Sequence, residues 1–282
     1  RAMDEDNVAI VLLVPAMIQA CLVFVPDAAD RAYSDLRMVV YGASPIAADT
    51  LKQAMTTFKC SFGQGYGMTE MSAVISLLSA SDHEHAVTDR PELLLSAGRA
   101  VLGAEVRIVD EDDLELPNGE VGEMIARGPQ MMSGYWNLAD ETAAALKGGW
   151  MHTGDAGRLD DDGYIYIQDR VKDMIVSGGE NVYPATVEAA LFGHPAIADV
   201  AVIGIPDEQW GETVKAIVVL REGETATDEE LMEFCNEKLG GFERPRSVDF
   251  IAEIPRNASG KVLKRELREP FWVGHERRVA GA

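Results

Sequence analysis

Three short segments of the chain combine glycine with residues that can bind or act on an anionic ligand. Residues 65–70 read Gly-Tyr-Gly-Met-Thr-Glu, residues 153–155 read Thr-Gly-Asp, and residues 255–261 read Pro-Arg-Asn-Ala-Ser-Gly-Lys. Glycines on both sides of Tyr66 let the backbone approach a flat ligand, and the ring offers a stacking face. Asp155 can accept hydrogen bonds from two sugar hydroxyls, and Lys261 can neutralise charge that builds on a phosphate. Each segment alone is also typical of an ordinary turn.

These segments need elements that position them, and the pattern of apolar residues predicts several. Residues 37–41 are typical of a β-strand, residues 42–45 (Gly-Ala-Ser-Pro) of a tight turn, and residues 51–58 of an amphipathic helix. Such a unit directs backbone N–H groups at whatever lies over the turn. Residues 71–78 are expected to form a helix after the Gly-Tyr-Gly loop, and residues 8–25 a buried core helix.

The middle of the chain is predicted to be mostly β. Residues 106–110 and 121–125 alternate in polarity around Asn118-Gly119, which predicts a β-hairpin, and residues 164–167 follow a second turn. From residue 173 onwards the pattern becomes compact α+β. It predicts a helix over 184–192, strands over 199–205 and 213–220, and a capping box at Thr227.

Composition limits the classes of protein that fit. The chain has 282 residues, 47% of them hydrophobic, and a net charge of −22, which argues against a general nucleic-acid or acidic-membrane binder. Residues 256–278 are the exception, with an excess of Lys and Arg that suits contact with phosphates. The three cysteines are far apart, so neither a disulfide framework nor a zinc site is indicated, and a reducing cytoplasm is expected. Residues 8–25 are interrupted by Pro15 and Gln19 and indicate neither a signal peptide nor a membrane span.

In this order, the three glycine-containing segments resemble the signature of the adenylate-forming superfamily, the acyl-CoA synthetases and luciferases. The resemblance covers essentially the whole chain and is closest to the fatty acyl-CoA synthetases. It implies α/β and β structure from the later part of the large adenylate-forming N-terminal domain, plus a small α+β C-terminal domain joined by a hinge. The implied domains are residues 1–170, part of the AMP-binding domain, and residues 171–282, a mobile C-terminal AMP-binding domain.

The resemblance also implies roles for individual residues. Tyr66 would pack on the adenine, Thr69 would contact the α-phosphate and Glu70 would hold magnesium. Asp155 and Arg170 would bind the ribose. The catalytic residues would be Lys261, Thr69 and Glu70, and the hinge would be Lys172. Further nucleotide contacts are expected at Gly42, Ala43, Ser44, Gly65, Gly67, Met68 and Ile167, and contacts with the pantetheine arm of coenzyme A at Ser177, Gly178, Gly179 and Glu180.

The implied reaction is that of an acid:CoA ligase with ATP, Mg²⁺ and coenzyme A. A carboxylic acid, expected to be a fatty acid, is joined to AMP and then transferred to the CoA thiol. Aryl or short-chain acids remain open, as does an acyl-AMP ligase that loads a carrier protein. Additional candidate partners are a second copy of the chain and a lysine acetyltransferase that acts on Lys261.

One departure from the family concerns its Ser/Thr/Gly-rich phosphate loop, which is expected upstream of Gly42. No such run occurs in residues 1–41, and the chain starts at Arg1 without an initiator Met. We therefore expect the C-terminal half of a longer enzyme, which is inactive or nearly so by itself. The hypothesis from a different class is a non-catalytic nucleotide-binding or interaction module. A metal site at His83 and His85 is a weaker alternative, because no third ligand is evident nearby.

Overall fold

A computed structural model describes residues 2–44, 46–257 and 260–274. The chain folds as two compact units, residues 1–167 and residues 168–282, which we call the large unit and the small unit. The strand Ile165–Arg170 crosses this boundary. Among the described residues, no helix has the length and apolar character needed to cross a membrane.

The large unit begins with a five-stranded sheet and its helices. The elements in chain order are α1 (Ala2–Glu5), β1 (Ile10–Leu13), α2 (Pro15–Phe24), β2 (Met38–Gly42), α3 (Ala48–Phe58), β3 (Ser61–Tyr66), β4 (Ser76–Leu78), α4 (Ala80–Thr88) and β5 (Arg99–Ala100). The strands lie in the order β1-β2-β3-β4-β5. The first three are parallel, and β4 is antiparallel to both of its neighbours. Short 3₁₀ helices form at Ala28–Asp30, Thr69–Met71 and Pro91–Leu95.

The predicted strand-turn-helix unit is confirmed by β2 and α3. Leu51, Ala54 and Phe58 recur at helical spacing on α3 and are completely or almost completely buried. They share one apolar core with Val39 of β2 and Phe62 of β3. This packing fixes the ends of β2 and β3, where the glycine-containing segments begin.

The prediction of a single buried helix over residues 8–25 is wrong. Residues 10–13 form the strand β1, paired in parallel with β2, and the helix α2 starts only at Pro15. The cause is Pro15, because a proline drives the residue before it to extended backbone and suits the first turn of a helix. The helix is also not fully buried, since Val23 and Phe24 are exposed.

The predicted helix over residues 71–78 is also wrong. The 3₁₀ helix Thr69–Met71 ends at Ser72 and Ala73, which both have positive φ. Ile75 N–H then donates to the Tyr66 carbonyl, and residues 76–78 pair as β4 with β3. Pairing with a neighbouring strand therefore overrides the local helical pattern of this segment.

The rest of the large unit carries a four-stranded sheet. Its elements are β6 (Glu105–Val109), β7 (Gly122–Arg127), α5 (Ala139–Ala145), a 3₁₀ helix (Lys147–Gly149), β8 (Met151–Leu159) and β9 (Ile165–Arg170). The order is β6-β7-β8-β9. The antiparallel pair β6 and β7 confirms the predicted hairpin around Asn118-Gly119. The predicted strand after the second turn is confirmed by β9.

The small unit is a mixed sheet with helices. Its elements are a 3₁₀ helix (Val171–Asp173), β10 (Ile175–Ser177), β11 (Glu180–Val182), α6 (Pro184–Phe192), β12 (Ile197–Asp207), β13 (Gly211–Leu220), α7 (Asp228–Cys235), β14 (Ser247–Phe250), α8 (Lys264–Arg268) and a 3₁₀ helix (Glu269–Phe271). The strand order is β11-β10-β13-β12, with β14 parallel to β13. The predicted helix over 184–192, the two long strands and the capping box at Thr227 are all confirmed.

Candidate functional site

Two of the candidate binding segments lie side by side at the ends of parallel strands. Gly42 at the end of β2 is paired with Gly65 near the end of β3. The turn at Ala43 and Ser44 and the loop of residues 67–70 therefore leave the same edge of the sheet. Ala43 has a φ of 69°, which is uncommon for alanine. Ligands of open parallel sheets bind at this carboxyl edge. Pro45 lies outside the described residues.

A phenol and a carboxylate from two different sheets meet at the end of β3. The Tyr66 hydroxyl donates a hydrogen bond to Asp155 Oδ2 at 2.5 Å. Asp155 is only 8% exposed, and its backbone N–H donates to Thr153 Oγ1 at 3.1 Å. Tyr66 packs against the apolar cluster of Ala97, Ile108, Met124 and Ile165. The aromatic ring and the acid that the sequence singled out separately are therefore adjacent.

Asp155 lies in an irregular part of β8, not in the turn that the sequence predicted. Residues 152 and 156 of β8 pair with residues 125 and 123 of β7, so β8 carries extra residues between them. Gly154, with a φ of 67°, supplies the left-handed conformation of this bulge. Glu123 holds the bulge, because its Oε1 accepts from Gly154 N–H at 3.0 Å and its Oε2 lies 2.9 Å from His152 Nδ1.

Glu70 is fixed by both its backbone and its side chain. The Tyr135 hydroxyl donates to Glu70 Oε1 at 2.8 Å, and this bond raises the pKa of Tyr135 above its ordinary value. The Glu70 carbonyl accepts from Met132 N–H at 2.7 Å. On either side of Glu70, Thr69 is exposed and Met71 is completely buried. The carboxylate expected to hold a metal therefore has a fixed main chain and one donor on its side chain.

The other nucleotide and hinge candidates divide between the two units. Ile167 belongs to the large unit and packs against the same apolar cluster as Tyr66. Arg170 ends β9 in the small unit, and its backbone N–H donates to Asp169 Oδ1 at 2.7 Å. Lys172 lies in the 3₁₀ helix Val171–Asp173.

A charge cluster ties the first residues of the small unit to its helices. Lys264 Nζ lies 2.9 Å from Glu188 Oε1 and 3.7 Å from Asp169 Oδ2, and all three side chains are largely buried. Burial raises the pKa of Glu188. Burial also acts to lower the pKa of Lys264, but the two carboxylates outweigh it and the pKa is raised. Next to this cluster in sequence, Arg268 pairs with Asp173 at 3.2 Å.

The candidate coenzyme A residues form the tip of the hairpin between β10 and β11. Ser177 pairs with Glu180 across the Gly178-Gly179 turn, and both glycines have positive φ. Gly178 N–H donates to the carbonyl of Trp210 at 2.8 Å. Trp210 is 40% exposed, and the Arg246 guanidinium lies 5.8 Å from the centre of its ring. An accessible aromatic ring with a nearby cation therefore lies next to the glycine turn.

The backbone of Lys261 is held by hydrogen bonds to Asn257. Its N–H donates to Asn257 Oδ1 at 2.9 Å, and the Asn257 N–H donates to the Lys261 carbonyl, also at 2.9 Å. Arg256 Nη1 donates to the Gly260 carbonyl at 2.9 Å. Asn257 thus contacts Lys261 through both its side chain and its backbone N–H, and Ala258 and Ser259 lie outside the described residues. The Lys261 side chain is exposed.

The histidines offered as a weak metal alternative do not form a metal site. His83 is completely buried, with Nε2 lying 2.9 Å from the Tyr41 hydroxyl and Nδ1 lying 2.8 Å from the Ser79 carbonyl oxygen. Burial lowers the pKa of His83, which favours the neutral ring. No cluster of three metal-ligating residues occurs within the part of the chain that the structure describes.

Sequence reasoning missed three residues that shape these sites. Tyr135 binds the Glu70 carboxylate, Glu123 holds the Gly154 bulge, and Trp210 lies against Gly178. Each is separated from its partner by about 30 residues or more along the chain, so no local spacing connects the two. The only available signal was residue type, since exposed aromatic and acidic side chains near glycine turns are common binding groups.

The paired strand ends and the Tyr66–Asp155 contact lie in the large unit, and the small unit folds separately. The chain belongs to the AMP-binding enzyme family. The family model "AMP-binding enzyme" matches residues 1–136, and the model "AMP-binding enzyme C-terminal domain" matches residues 186–261. The resemblance to the adenylate-forming superfamily and the expected fold class are therefore confirmed.

Known proteins support this assignment. The chain is 42% identical to a fatty acid–[acyl-carrier-protein] ligase, ScoC, of Streptomyces coeruleorubidus, over 95% of this chain and 50% of the relative. It is also 42% identical to the medium/long-chain fatty acid–CoA ligase FadD8 of Mycobacterium tuberculosis, over 99% of this chain and 49% of the relative. Among solved structures, O-succinylbenzoate coenzyme A synthetase (MenE) from Bacillus subtilis, in complex with ATP and a magnesium ion, matches with a TM-score of 0.82. That match has 32% identity and covers 94% of this chain and 52% of the other. The chain thus spans about half the length of the relatives it matches.

Proposed function

We propose that the chain supplies the AMP-binding and C-terminal parts of an acid:CoA ligase. The observation that carries the proposal is the contact between Tyr66 and the buried carboxylate of Asp155 at the end of β3. An aromatic ring beside a fixed carboxylate suits a nucleoside, because the ring can pack on the base while the carboxylate accepts from the ribose hydroxyls. Arg170 is the second ribose contact in this proposal.

In the first half-reaction, a carboxylate oxygen attacks the α-phosphorus of ATP. The new bond joins the acid to AMP, the bond to the β-phosphate oxygen breaks, and pyrophosphate leaves with the electron pair. Negative charge builds on the phosphate as this happens. We propose that Lys261 neutralises it and that Thr69 donates to the α-phosphate.

The residues around Glu70 fit magnesium. Mg²⁺ prefers oxygen ligands and binds proteins through one or two carboxylates together with substrate phosphates. Tyr135 donates to Oε1 of Glu70, so Oε2 is the oxygen that we propose as the metal ligand. When bound, the ion would supply positive charge to the phosphates. Glu70 would hold it, and Thr69 and Tyr66 would orient the nucleotide.

In the second half-reaction, the thiol of coenzyme A attacks the acyl carbonyl of the acyl-AMP. The thioester forms, the thiol loses its proton and AMP leaves. We propose that the Gly178-Gly179 turn lets the pantetheine arm pass close to the backbone. The exposed ring of Trp210 and the nearby Arg246 support this, since an aromatic face and a cation suit the nucleotide end of coenzyme A.

The test is an assay of the longest protein that the gene encodes, with a fatty acid, ATP and Mg²⁺. Pyrophosphate release should need the acid and not coenzyme A, whereas multiple-turnover AMP release should need both. Lys261→Ala should reduce acyl-AMP formation by orders of magnitude and spare thioester formation from supplied acyl-AMP. Equal losses of rate in both half-reactions would contradict a role of Lys261 that is specific to acyl-AMP formation. Absence of acid-dependent pyrophosphate release would reject the ligase.

The similarity to ScoC favours a second acceptor, the phosphopantetheine arm of a carrier protein. The same assay distinguishes the two acceptors if coenzyme A is replaced by a holo carrier protein. If the protein turns over with the carrier protein and not with coenzyme A, the carrier protein becomes the proposed acceptor. The similarity to MenE keeps an aromatic acid as the alternative substrate, and a panel of aliphatic and aryl acids decides this point.

A non-catalytic nucleotide-binding role is the alternative if no acid is activated. In that case the chain should still bind AMP, and Asp155→Ala should abolish the binding. This outcome would support nucleotide binding at Tyr66 and Asp155 and would reject the proposed ligase reaction.

We also propose that an acetyltransferase can regulate Lys261, because its side chain is exposed. Acetylation removes the positive charge and should therefore abolish adenylation in the same way as Lys261→Ala. Mass spectrometry after incubation with an acetyltransferase and acetyl-CoA tests this. Full activity of stoichiometrically acetylated protein would exclude it.

A further inference from the structure

The segment of residues 130–135 is attached to the turn that carries Glu70. Ser72 Oγ donates to the Gln130 carbonyl at 2.8 Å, and Met132 N–H donates to the Glu70 carbonyl at 2.7 Å. Met131 and Met132 pack against the cluster that contains Met71 and Ile75. The backbone of this segment is therefore fixed to the Glu70 turn before the side chain of Tyr135 is considered.

The backbone of Tyr135 is also held from its other side. Tyr135 N–H donates to Thr142 Oγ1 of helix α5 at 2.9 Å, and the same hydroxyl donates to the Leu138 carbonyl at 2.6 Å. Tyr135 itself is 36% exposed, so its ring is not part of the apolar core. A half-exposed phenol with a backbone fixed at both ends is well placed to hold a partner, and it is not needed to fill the interior.

From this geometry we infer that Tyr135 is a positioning residue for Glu70, which fixes the carboxylate in the orientation that holds the metal–nucleotide ligand. The inference rests on the proposed function. By donating to Oε1, the phenol selects one rotamer of Glu70 and leaves Oε2 as the oxygen directed to the ligand. Without this bond Glu70 would have to give up its side-chain freedom each time it binds, which costs affinity. The hydrogen bond is made to a charged acceptor, the stronger kind.

The first test needs no ligand. A double-mutant cycle on the free energy of unfolding compares the wild type, Tyr135→Phe, Glu70→Gln and the double variant. The effects of the two single changes should not add, because the phenol donates directly to the Glu70 carboxylate. Strictly additive effects would show that the two groups do not interact, and they would overturn the inference.

The second test measures ATP binding by calorimetry, with and without Mg²⁺, in the longest protein that the gene encodes. Tyr135→Phe should weaken binding about three- to tenfold in Mg²⁺ and leave AMP binding without Mg²⁺ unchanged. Trp136→Phe is the matched control, because Trp136 is the next residue, also aromatic and 89% exposed. It should leave both affinities unchanged.

Glu70→Gln separates failure of the inference from failure of the proposed function. Suppose that Glu70→Gln removes the effect of Mg²⁺ on ATP affinity, whereas Tyr135→Phe leaves that effect unchanged. Tyr135 then has no positioning role. If Glu70→Gln leaves the Mg²⁺ dependence intact, or if the wild-type protein shows none, Glu70 is not the metal ligand and the inference fails with that assignment. In the Glu70→Gln background, a further Tyr135→Phe change should have little additional effect.

Discussion

The two units of the molecule hold their key carboxylates in different ways. In the large unit, phenol hydroxyls donate to Asp155 and Glu70. In the small unit, the ammonium group of Lys264 lies between Glu188 and Asp169. A hydroxyl donor orients a carboxylate and leaves its negative charge in place, whereas a buried ammonium neutralises it.

We propose that this difference separates ligand-binding carboxylates from structural ones. A carboxylate that must accept hydrogen bonds from a sugar or hold a cation has to keep both its charge and free acceptor positions. A carboxylate that joins the start of a unit to its helices is best paired, because an unpaired buried charge is expensive. Changes at Lys264 should therefore affect folding of the small unit, and changes at Tyr66 should affect ligand binding as well.

The largest expected effect comes from Lys264→Met. The change leaves Glu188 and Asp169 buried together without their cation, which should destabilise the small unit by about 3–5 kcal/mol. Urea unfolding measures the loss of stability, and hydrogen exchange of the β12 amides shows that the loss falls on the small unit. Arg265→Met is the matched control, since Arg265 is an exposed cation next to Lys264 on the same helix, and it should cost less than about 0.5 kcal/mol. Equal effects of the two changes would show that the cluster adds nothing beyond surface charge.

The same cluster predicts a response to alkaline pH. The pKa of Lys264 is raised in the folded protein by Glu188 and Asp169, although burial opposes this. Its contribution to stability should therefore be complete below the unfolded-state pKa of about 10.4 and be lost as the pH rises through the folded-state value. Lys264→Met should remove this part of the alkaline loss. If unfolding free energies of wild type and Lys264→Met fall in parallel above pH 10, about the ordinary lysine pKa, the shift is absent.

A smaller effect is expected for Tyr66→Phe. It removes the donor to the buried Asp155 and should cost about 1.5–3 kcal/mol in the unfolding free energy of the large unit. It should also weaken AMP binding, because Asp155 loses the group that orients it. Tyr33→Phe is the control in the same unit, since the Tyr33 hydroxyl donates to the uncharged Ala28 carbonyl at 2.9 Å, a bond worth about 0.5–1.5 kcal/mol. If Tyr33→Phe weakens AMP binding as much as Tyr66→Phe, the orienting role of Tyr66 is refuted.

The sequence predicted elements whose signals are local. Helix α6 starts at Pro184 and ends before Gly193, so it follows from residues within one turn of the chain. The strands β6 and β7 follow from the alternating polarity of their own residues, although the connection between them is longer than an Asn-Gly turn. The segments at residues 10–13 and 76–78 were predicted incorrectly as helix because their conformation depends on pairing with distant strands. β1 pairs with β2, and β4 pairs with β3.

The candidate site divides in the same way. Segments such as residues 65–70 and Thr153-Gly-Asp could be recognised because their chemistry is contained in a few consecutive residues. The contact of Tyr66 with Asp155 joins residues 89 apart, and that of Tyr135 with Glu70 joins residues 65 apart. Such contacts arise from the arrangement of strands and loops, which no single spacing in the sequence encodes. The roles assigned to all of the site residues, including Tyr66, Glu70, Asp155 and Lys261, stay predictions.

The last prediction contrasts two glycines of the Gly-Tyr-Gly segment. A Cβ atom on Gly67 would lie 2.1 Å from the Ala73 carbonyl oxygen, whereas a Cβ atom on Gly65 would meet nothing within 4 Å. Gly67→Ala should therefore push the loop away from Ala73 and destabilise the large unit by about 1–3 kcal/mol. Gly65→Ala should change the stability little.

Comparing Gly65→Ala with Gly67→Ala tests whether one short loop contains both a position that contacts the ligand and a position that only maintains the fold. If the open space beside Gly65 receives the nucleotide, Gly65→Ala should weaken AMP binding at almost unchanged stability. Gly67→Ala should instead reduce stability first and binding as a consequence. Thermal unfolding and AMP titration of both variants measure this. A Gly65→Ala protein that binds AMP with wild-type affinity would place the nucleotide elsewhere along the edge, since the added methyl group could not have met it.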